Sequence, residues 1–156
     1  METANEKGSA VRAWYLDEAE KMLTVEELRD QLGVSYYRAT SRADGEARLA
    51  AVMKEKGCHE IDITPMDPFK PDSPIVVGKP IKEHRHPEEE VRFMSEGTAF
   101  FDIRDYQDKW VRIQFNEGDI LVLPPNAYHR FMINGKVALS RVYPTGQAYS
   151  AEHREI

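Results

Sequence analysis

The sequence predicts a mainly β protein in which a few short helices precede an antiparallel barrel or sandwich. From Ile81 onward, runs of β-branched and aromatic residues are separated by turn residues at intervals of about eight to twelve positions, which is typical of such folds. Before Ile81, two segments carry helix-capping residues and apolar residues at helical spacing. The chain of 156 residues can bury one core, so we expect a flexible tail over residues 1–10 and one domain over residues 11–156.

A strand and a capped helix are predicted first. Residues 11–16 are rich in strand formers. Thr24 and Glu27 have the spacing of a capping box, in which the hydroxyl and the carboxylate accept hydrogen bonds from free backbone N–H groups at the helix start. Because Gly33 suits a left-handed stop, the helix is predicted over Val25–Leu32.

A second helix is predicted to begin at a cap on Asp44 and to end at Gly57. Its apolar face consists of Leu49, Val52 and Met53.

Residues 65–80 hold five prolines. Proline lacks the N–H group that a helix interior or an inner strand needs, so this segment is expected to be an ordered loop or an edge segment.

Five strands are predicted in the C-terminal half, because each run is bounded by turn residues such as Asn, Gly, Asp and Pro. No internal repeat or low-complexity tract interrupts this half, in agreement with a single domain. The predicted strands cover residues 98–103, Trp110–Phe115, Ile120–Leu123, 128–133 and 138–143.

Composition and charge exclude several classes of function. The net charge of -6 argues against nucleic acid, whose partners usually present a basic face. The chain has no run of about 18 apolar residues, and its first residues lack the basic and then apolar pattern of a secretory signal. Its single cysteine, Cys58, permits no intramolecular disulfide and is expected to pack as a small apolar residue. We therefore expect a monomeric cytoplasmic protein, also nuclear in a eukaryote, without a nucleic-acid or membrane partner.

A histidine pair predicts a metal site. His84 and His86 are two positions apart, so in a strand both imidazoles project from the same face. A bend after Pro87 can bring the Glu90 carboxylate to the same centre, and His129 arrives from a later strand. Three imidazole nitrogens and one carboxylate suit one divalent Fe, Ni, Mn or Zn ion. Such a set leaves coordination positions open when the ion is six-coordinate, which favours a catalytic ion over a structural one.

The alternative is that this spacing arises by chance and that residues 88–90 form an acidic surface patch. The surrounding spacing argues against it. The first motif of the cupin superfamily is matched at every position, by Gly78, His84, His86, Glu90 and Gly97. The resemblance implies a single cupin barrel, also described as a double-stranded β-helix or jelly roll.

The second cupin motif is also similar to a stretch of this chain. It is matched by Gly118, Pro124 and His129. Asn126 stands where glycine is usual, which is a mild departure because asparagine tolerates a positive φ better than other non-glycine residues. The resemblance therefore assigns His129 to the same metal as the first motif.

Four neighbouring side chains are candidates for the substrate pocket. Arg92 and Met94 share the parity of Glu90, so in a straight strand both point into the barrel. An inward guanidinium can neutralise an enolate or a carboxylate, although pairing with an acidic neighbour is the alternative. Phe131 shares the face of His129, and Phe101 is a candidate of the same kind; core packing is the alternative for both phenylalanines.

Two further histidines, His59 and His153, lie outside both motifs and are interpreted as surface residues.

Three stretches go beyond the generic motifs and resemble the acireductone dioxygenases, cupin enzymes of methionine salvage. They are VRAWYLD at residues 11–17, HRHPEEEVRF at residues 84–93, and residues 97–113 with their FDIRD and DKWVRI segments. The similarity continues from Gly118 through Phe131, whereas the aliphatic and basic residues 77–81 depart from the family pattern.

The resemblance implies a metal-dependent dioxygenase that cleaves the acireductone 1,2-dihydroxy-3-keto-5-methylthiopentene with O2. It implies His84, His86, Glu90 and His129 as ligands of one Fe(II) or Ni(II) ion. Glu90 and Arg92 are the implied catalytic residues, and Arg92, Met94, Phe101 and Phe131 are the expected substrate contacts. In this family, iron gives formate and 2-keto-4-methylthiobutyrate, whereas nickel gives carbon monoxide, formate and methylthiopropionate. The alternatives are another metal-dependent cupin enzyme, such as a sugar-phosphate isomerase, and a cupin that binds a ligand without catalysis.

Overall fold

The computed structural model describes residues 11–58, 60–143 and 152–154, so the expected tail at residues 1–10 lies outside the described residues. The described part is mainly β, as predicted. Its two helices are α1 (Val25–Leu32) and α2 (Arg42–Lys56). Its strands are β1 (Ala13–Tyr15), β2 (Glu18–Met22), β3 (Ser35–Tyr37), β4 (Glu60–Met66), β5 (His84–Arg85), β6 (Glu90–Glu96), β7 (Ala99–Arg104), β8 (Trp110–Phe115), β9 (Ile120–Leu123), β10 (His129–Ile133), β11 (Val137–Tyr143) and β12 (Glu152–His153).

The strands form two antiparallel sheets. One has the order β12-β5-β10-β7-β8-β1-β2, and the other has the order β3-β9-β6-β11-β4. A single apolar cluster contains side chains from both sheets, including Ile113 and Phe115 from the first and Leu121 and Met94 from the second. The core therefore lies between the sheets, as expected for a barrel of two packed layers.

The cap interactions predicted for α1 are confirmed. The Glu27 N–H donates to the Thr24 hydroxyl oxygen at 3.1 Å, and the Thr24 N–H donates to a Glu27 carboxylate oxygen at 2.9 Å. Gly33 ends the helix with φ 74°, a left-handed conformation that glycine adopts without strain. The helix buries Leu28 and Leu32 in the core between the sheets.

The predicted start of α2 is wrong. Ser41 caps this helix, its hydroxyl accepting a hydrogen bond from the Asp44 N–H, so the helix begins at Arg42. The Asp44 carboxylate instead accepts the Thr40 N–H at 2.9 Å, where it also complements the positive end of the helix dipole. Serine and aspartate are about equally good N-cap residues, so the sequence alone did not show that Ser41, rather than Asp44, caps the helix.

Helix α2 covers the outer face of the second sheet. Its Leu49 and Val52 pack with Val91 and Phe93, the outward-facing residues of β6. Cys58 is buried in the same cluster, where burial raises the pKa of its thiol, as expected for an unreactive packing residue.

Helix α2 also packs closely on the turn before β9. A Cβ atom on Gly45 would lie 2.2 Å from the Gly118 carbonyl oxygen, so only glycine permits this approach. Next to this contact, the buried Asp119 carboxylate accepts hydrogen bonds from the Tyr36 hydroxyl at 2.5 Å and from the backbone N–H groups of Ala39 and Asn116 at 2.9 and 3.0 Å. Asp119 therefore ties β3 and the segment before α2 to the start of β9.

The proline-containing segment begins in an edge strand. Strand β4 pairs with β11 on one side and has no partner strand on its other side within the described residues. Its Pro65 thus lies on an edge, where the missing N–H group is tolerated. Strands β2, β3 and β12 were not predicted, because they are short or, like β2, exposed along their whole length and therefore lack alternating burial. Strand β4 has seven residues and was not predicted because Pro65 and the prolines after it indicate a loop or an edge segment.

Neither helix in the described ranges has the length and apolar character needed to cross a bilayer.

We expect Asp119→Ala to lower the free energy of unfolding by at least about 2 kcal/mol, because it leaves several buried donors without an acceptor. Chemical denaturation measures this loss. Glu117→Ala is the matched control, since it removes an exposed carboxylate from the same turn and should change stability by less than about 1 kcal/mol. Equal stability of the two variants would contradict the role of Asp119.

Candidate metal centre

Three buried histidines meet at one point of the barrel. His84 in β5 lies directly opposite His129 in β10, and His86 follows two positions after His84. One ligand nitrogen from each of the three lies within 4.8 Å of the other two. All three side chains are buried. The structure therefore brings together the histidines that the sequence predicts as ligands.

Backbone carbonyls set the orientation of two of these rings. His84 Nδ1 lies 2.9 Å from the Lys82 carbonyl oxygen, and His129 Nδ1 lies 3.0 Å from the Ala127 carbonyl oxygen. A carbonyl oxygen can only accept, so in both rings Nδ1 carries the proton and donates. The lone pair of each neutral ring is then on Nε2, the atom available to a metal.

Burial keeps His129 in its neutral form. Burial is the largest cause, and the nearby His84 and Arg92 act in the same direction, so that the pKa of His129 is lowered to about 3. A neutral imidazole is the form that binds metal ions. No protonation step therefore opposes metal binding at His129 near neutral pH.

The Glu90 carboxylate lies beside two of the histidines. Its oxygens are 3.5 Å from His86 Nε2 and 3.7 Å from His129 Nε2. Burial raises the pKa of Glu90, opposed by the charge of Arg92, whose guanidinium donates to this carboxylate. Glu90 does not belong to the group of ligand atoms within 4.8 Å of one another, so its part in metal binding remains a prediction.

The donor set fits a divalent transition metal. The Nε2 atoms of His84 and His129 each have a free lone pair, and the Glu90 carboxylate lies within 4 Å of His86 Nε2 and His129 Nε2. Nitrogen and carboxylate donors of this kind suit Fe, Ni, Mn or Zn.

A small cavity of about 180 Å³ adjoins the histidines. Arg92, Phe101 and Phe131 line it, and the two phenylalanine ring centroids are 5.8 Å apart. Met94 points into the barrel as predicted but is fully buried in the core cluster and does not line this cavity. The full lining consists of Thr64, Met66, His84, His86, Arg92, Phe101, His129, Phe131, Leu139 and Arg141.

A second arginine, Arg141, lines the cavity and was not predicted from the sequence. Arg141 in β11 lies opposite Arg92 in the antiparallel register and forms an ion pair with Asp62 of β4. Leu139 and Arg141 share one face of β11, so alternation along the predicted strand could have indicated both. Thr64 and Met66 also line the cavity, but alternation could not indicate them, because β4 was not predicted as a strand.

The second-motif turn has the conformation expected from its asparagine. Asn126 has φ 64°, and its N–H donates to the His86 carbonyl oxygen at 2.8 Å. The turn before β10 is thereby joined to the segment that carries the second histidine ligand. Asn126 thus fulfils the conformational role of the usual glycine.

Of the two remaining histidines, the structure describes only His153. His153 is exposed as predicted, yet its ring centroid lies 5.8 Å from that of His84. His59 lies outside the described residues.

Comparisons with known proteins agree on one family. The family model described as "ARD/ARD' family" matches residues 7–150. An acireductone dioxygenase of Ixodes scapularis is 36% identical over 141 residues, covering 80% of this chain and 76% of the relative. One of Rattus norvegicus is 32% identical over 140 residues, covering 81% and 78%.

A solved structure shows the same fold. The acireductone dioxygenase from Bacillus anthracis, with a cadmium ion in its active centre, superposes with a TM-score of 0.72 and 18% identity, covering 93% of this chain and 99% of that one. The barrel is accordingly a cupin fold, as the motif spacing predicts. With a family model matching most of its length and relatives more than 30% identical over four-fifths of it, the chain belongs to the acireductone dioxygenase family.

Proposed function

We propose that this protein is a metal-dependent dioxygenase that cleaves an acireductone with O2. The observation that carries the proposal is the buried histidine group beside a small cavity with an arginine and two phenylalanines in its wall, in a chain of this family. The proposed substrate is 1,2-dihydroxy-3-keto-5-methylthiopentene, and the proposed pathway is methionine salvage.

We propose one divalent ion, Fe(II) or Ni(II), held by His84, His86, Glu90 and His129. The cadmium ion in the Bacillus anthracis relative supports a divalent site in this fold. When bound, the ion would supply open coordination positions and electron transfer between the enediolate and O2. Nitrogen and carboxylate donors accept both iron and nickel, so the product set depends on the ion loaded.

Arg92 is proposed to have two functions. Its guanidinium lines the cavity, where it can bind the negative charge of the enediolate, and it donates to the Glu90 carboxylate. A planar guanidinium presents several donors, so one edge can hold Glu90 while another meets the substrate. Arg92 would then bind the substrate and restrain a metal ligand at once.

Phe101 and Phe131 are proposed to form the apolar wall against which the planar enediolate packs. Their ring planes are tilted by 38° in the wall of the cavity. A substrate that displaces water from this wall would strengthen the attraction between its charge and Arg92. Met94, buried behind the cavity, is not assigned to the substrate.

The remaining proposals follow from the sequence. We propose a monomer that acts in the cytoplasm, also in the nucleus of a eukaryote, on a small molecule and O2 without nucleic acid.

The test is O2 uptake by protein that is loaded with Fe(II) or Ni(II) and mixed with the acireductone anaerobically before O2 is admitted. We expect about one O2 consumed per substrate in both forms, with carbon monoxide released by the nickel form alone. Turnover of a sugar substrate without O2 would instead support an isomerase, and metal binding without turnover of either substrate would support a binding protein.

We expect His129→Ala to lose both metal content and turnover, because each histidine supplies one bond to a site with few donors to spare. Elemental analysis and the O2-uptake rate measure the two effects. His59→Ala, which changes a histidine outside both motifs, should leave both unchanged. Full metal occupancy with normal turnover in the His129 variant would remove that residue from the centre.

We expect Glu90→Gln to weaken metal binding by at least about 10-fold while the protein stays folded, since the amide keeps the shape but removes the negative charge of a proposed ligand. Competition with a chelator gives the affinity, and circular dichroism gives the fold. An unchanged affinity would show that the carboxylate ligand is another residue, with Glu88 and Glu89 the next to test.

We expect Arg92→Lys to lower kcat/KM about 5- to 150-fold, corresponding to about 1 to 3 kcal/mol of lost transition-state binding, because lysine cannot span Glu90 and the substrate together. Metal affinity should fall less than turnover. Arg112→Lys is the matched control, an arginine paired with Asp102 and absent from the cavity lining. Early melting with normal specific activity would make Arg92 purely structural.

A further inference from the structure

The strand that carries the first metal ligand depends on the C-terminal strand for its pairing. Strand β5 has two residues and meets β10 through the single pair His84 and His129. On its other side it pairs with β12 through two residues, Arg85 with Glu152 and His84 with His153. More of the described strand pairing of β5 therefore comes from β12 than from the barrel itself.

Arg154, directly after β12, fixes the residue before His84. Its guanidinium donates to both carboxylate oxygens of Asp108, at 2.9 and 3.0 Å, and to Glu83 at 3.0 Å. Its backbone N–H also donates to the Glu83 carbonyl oxygen at 3.1 Å. Because Asp108 belongs to the turn between β7 and β8, this arginine joins β5 to a turn of the barrel.

The same guanidinium also contacts the residue before His129. The Cζ atom of Arg154 lies 4.6 Å from the centroid of the Tyr128 ring. The Cζ atom of Arg85 also lies near this ring, 5.1 Å from its centroid. Stacking of a guanidinium on an aromatic ring is favourable and restricts the ring. One side chain thus holds Glu83 and Tyr128, each of which immediately precedes a proposed metal ligand.

We infer that Arg154 is a positioning residue for the metal centre: by joining Glu83 to Tyr128 it sets the separation of the His84 and His129 rings. The inference rests on the proposed metal site. A metal bond tolerates ligand displacements of only a few tenths of an ångström, and groups that orient ligands from outside the coordination sphere commonly change affinity about 10- to 100-fold. Arg154 itself is a surface residue and contacts neither ligand directly.

The experiment uses Co(II) as the probe, with the full-length chain in its Arg154→Ala and Arg154→Lys forms. Affinity is measured by competition with a chelator, and ligand geometry by the visible absorption of bound cobalt. We expect Arg154→Ala to bind Co(II) about tenfold more weakly and to shift the absorption bands. Lysine keeps one charge without the bridge, so Arg154→Lys should lie between the alanine variant and the unaltered protein.

Arg48→Ala is the matched control, because Arg48 also pairs with both oxygens of one carboxylate, that of Asp44, but lies on α2. It should bind Co(II) as the unaltered protein does. If Arg154→Ala is less stable, its Co(II) spectrum and affinity are measured under conditions where circular dichroism shows that the variant is folded. An unchanged spectrum and affinity there would overturn the inference, whereas failure of the unaltered protein to bind Co(II) would remove the proposed metal site itself.

Discussion

The site depends on one antiparallel pair, His84 opposite His129. Directly opposed residues of adjacent strands bring their side chains within a few ångströms, so strand register brings two proposed ligands together. A shift of β5 by one residue would turn His84 to the other face and separate the two imidazoles. Register is therefore as important for this centre as the identity of the ligands, and much of the surrounding structure serves to fix it.

Two arginines of the second sheet stand beside the histidines, next to an apolar core. Arg92 and Arg141 face each other across β6 and β11, and each is paired with a carboxylate, Glu90 and Asp62 respectively. A buried charge is costly unless it is paired, so these acids allow two guanidinium groups to stand beside the histidines. Because both ion pairs are formally neutral, they place guanidinium donors in the cavity wall without adding net charge there.

The sequence predicted what depends on local spacing. The histidine pair, the capping box of α1 and the positive φ at Asn126 each follow from a few adjacent residues, and each is confirmed. The cavity wall made by β4 and Arg141 depends instead on which strands become neighbours, which spacing does not reveal. Met94 illustrates the same limit: its parity was right, but its depth in the barrel, which removes it from the cavity, is set by packing from both sheets.

Among the residues that the structure describes, strand β4 is both a wall of the cavity and an edge of its sheet, and this double position bears on association between molecules. Ile61 and Ile63 are 48% and 59% exposed on this strand, a combination that invites pairing with the edge of another molecule. Pro65 removes one N–H donor from this strand. A foreign strand would therefore meet an incomplete row of hydrogen-bond donors. The proline that made this strand hard to predict from the sequence is thus also expected to disfavour pairing with the edge of another molecule.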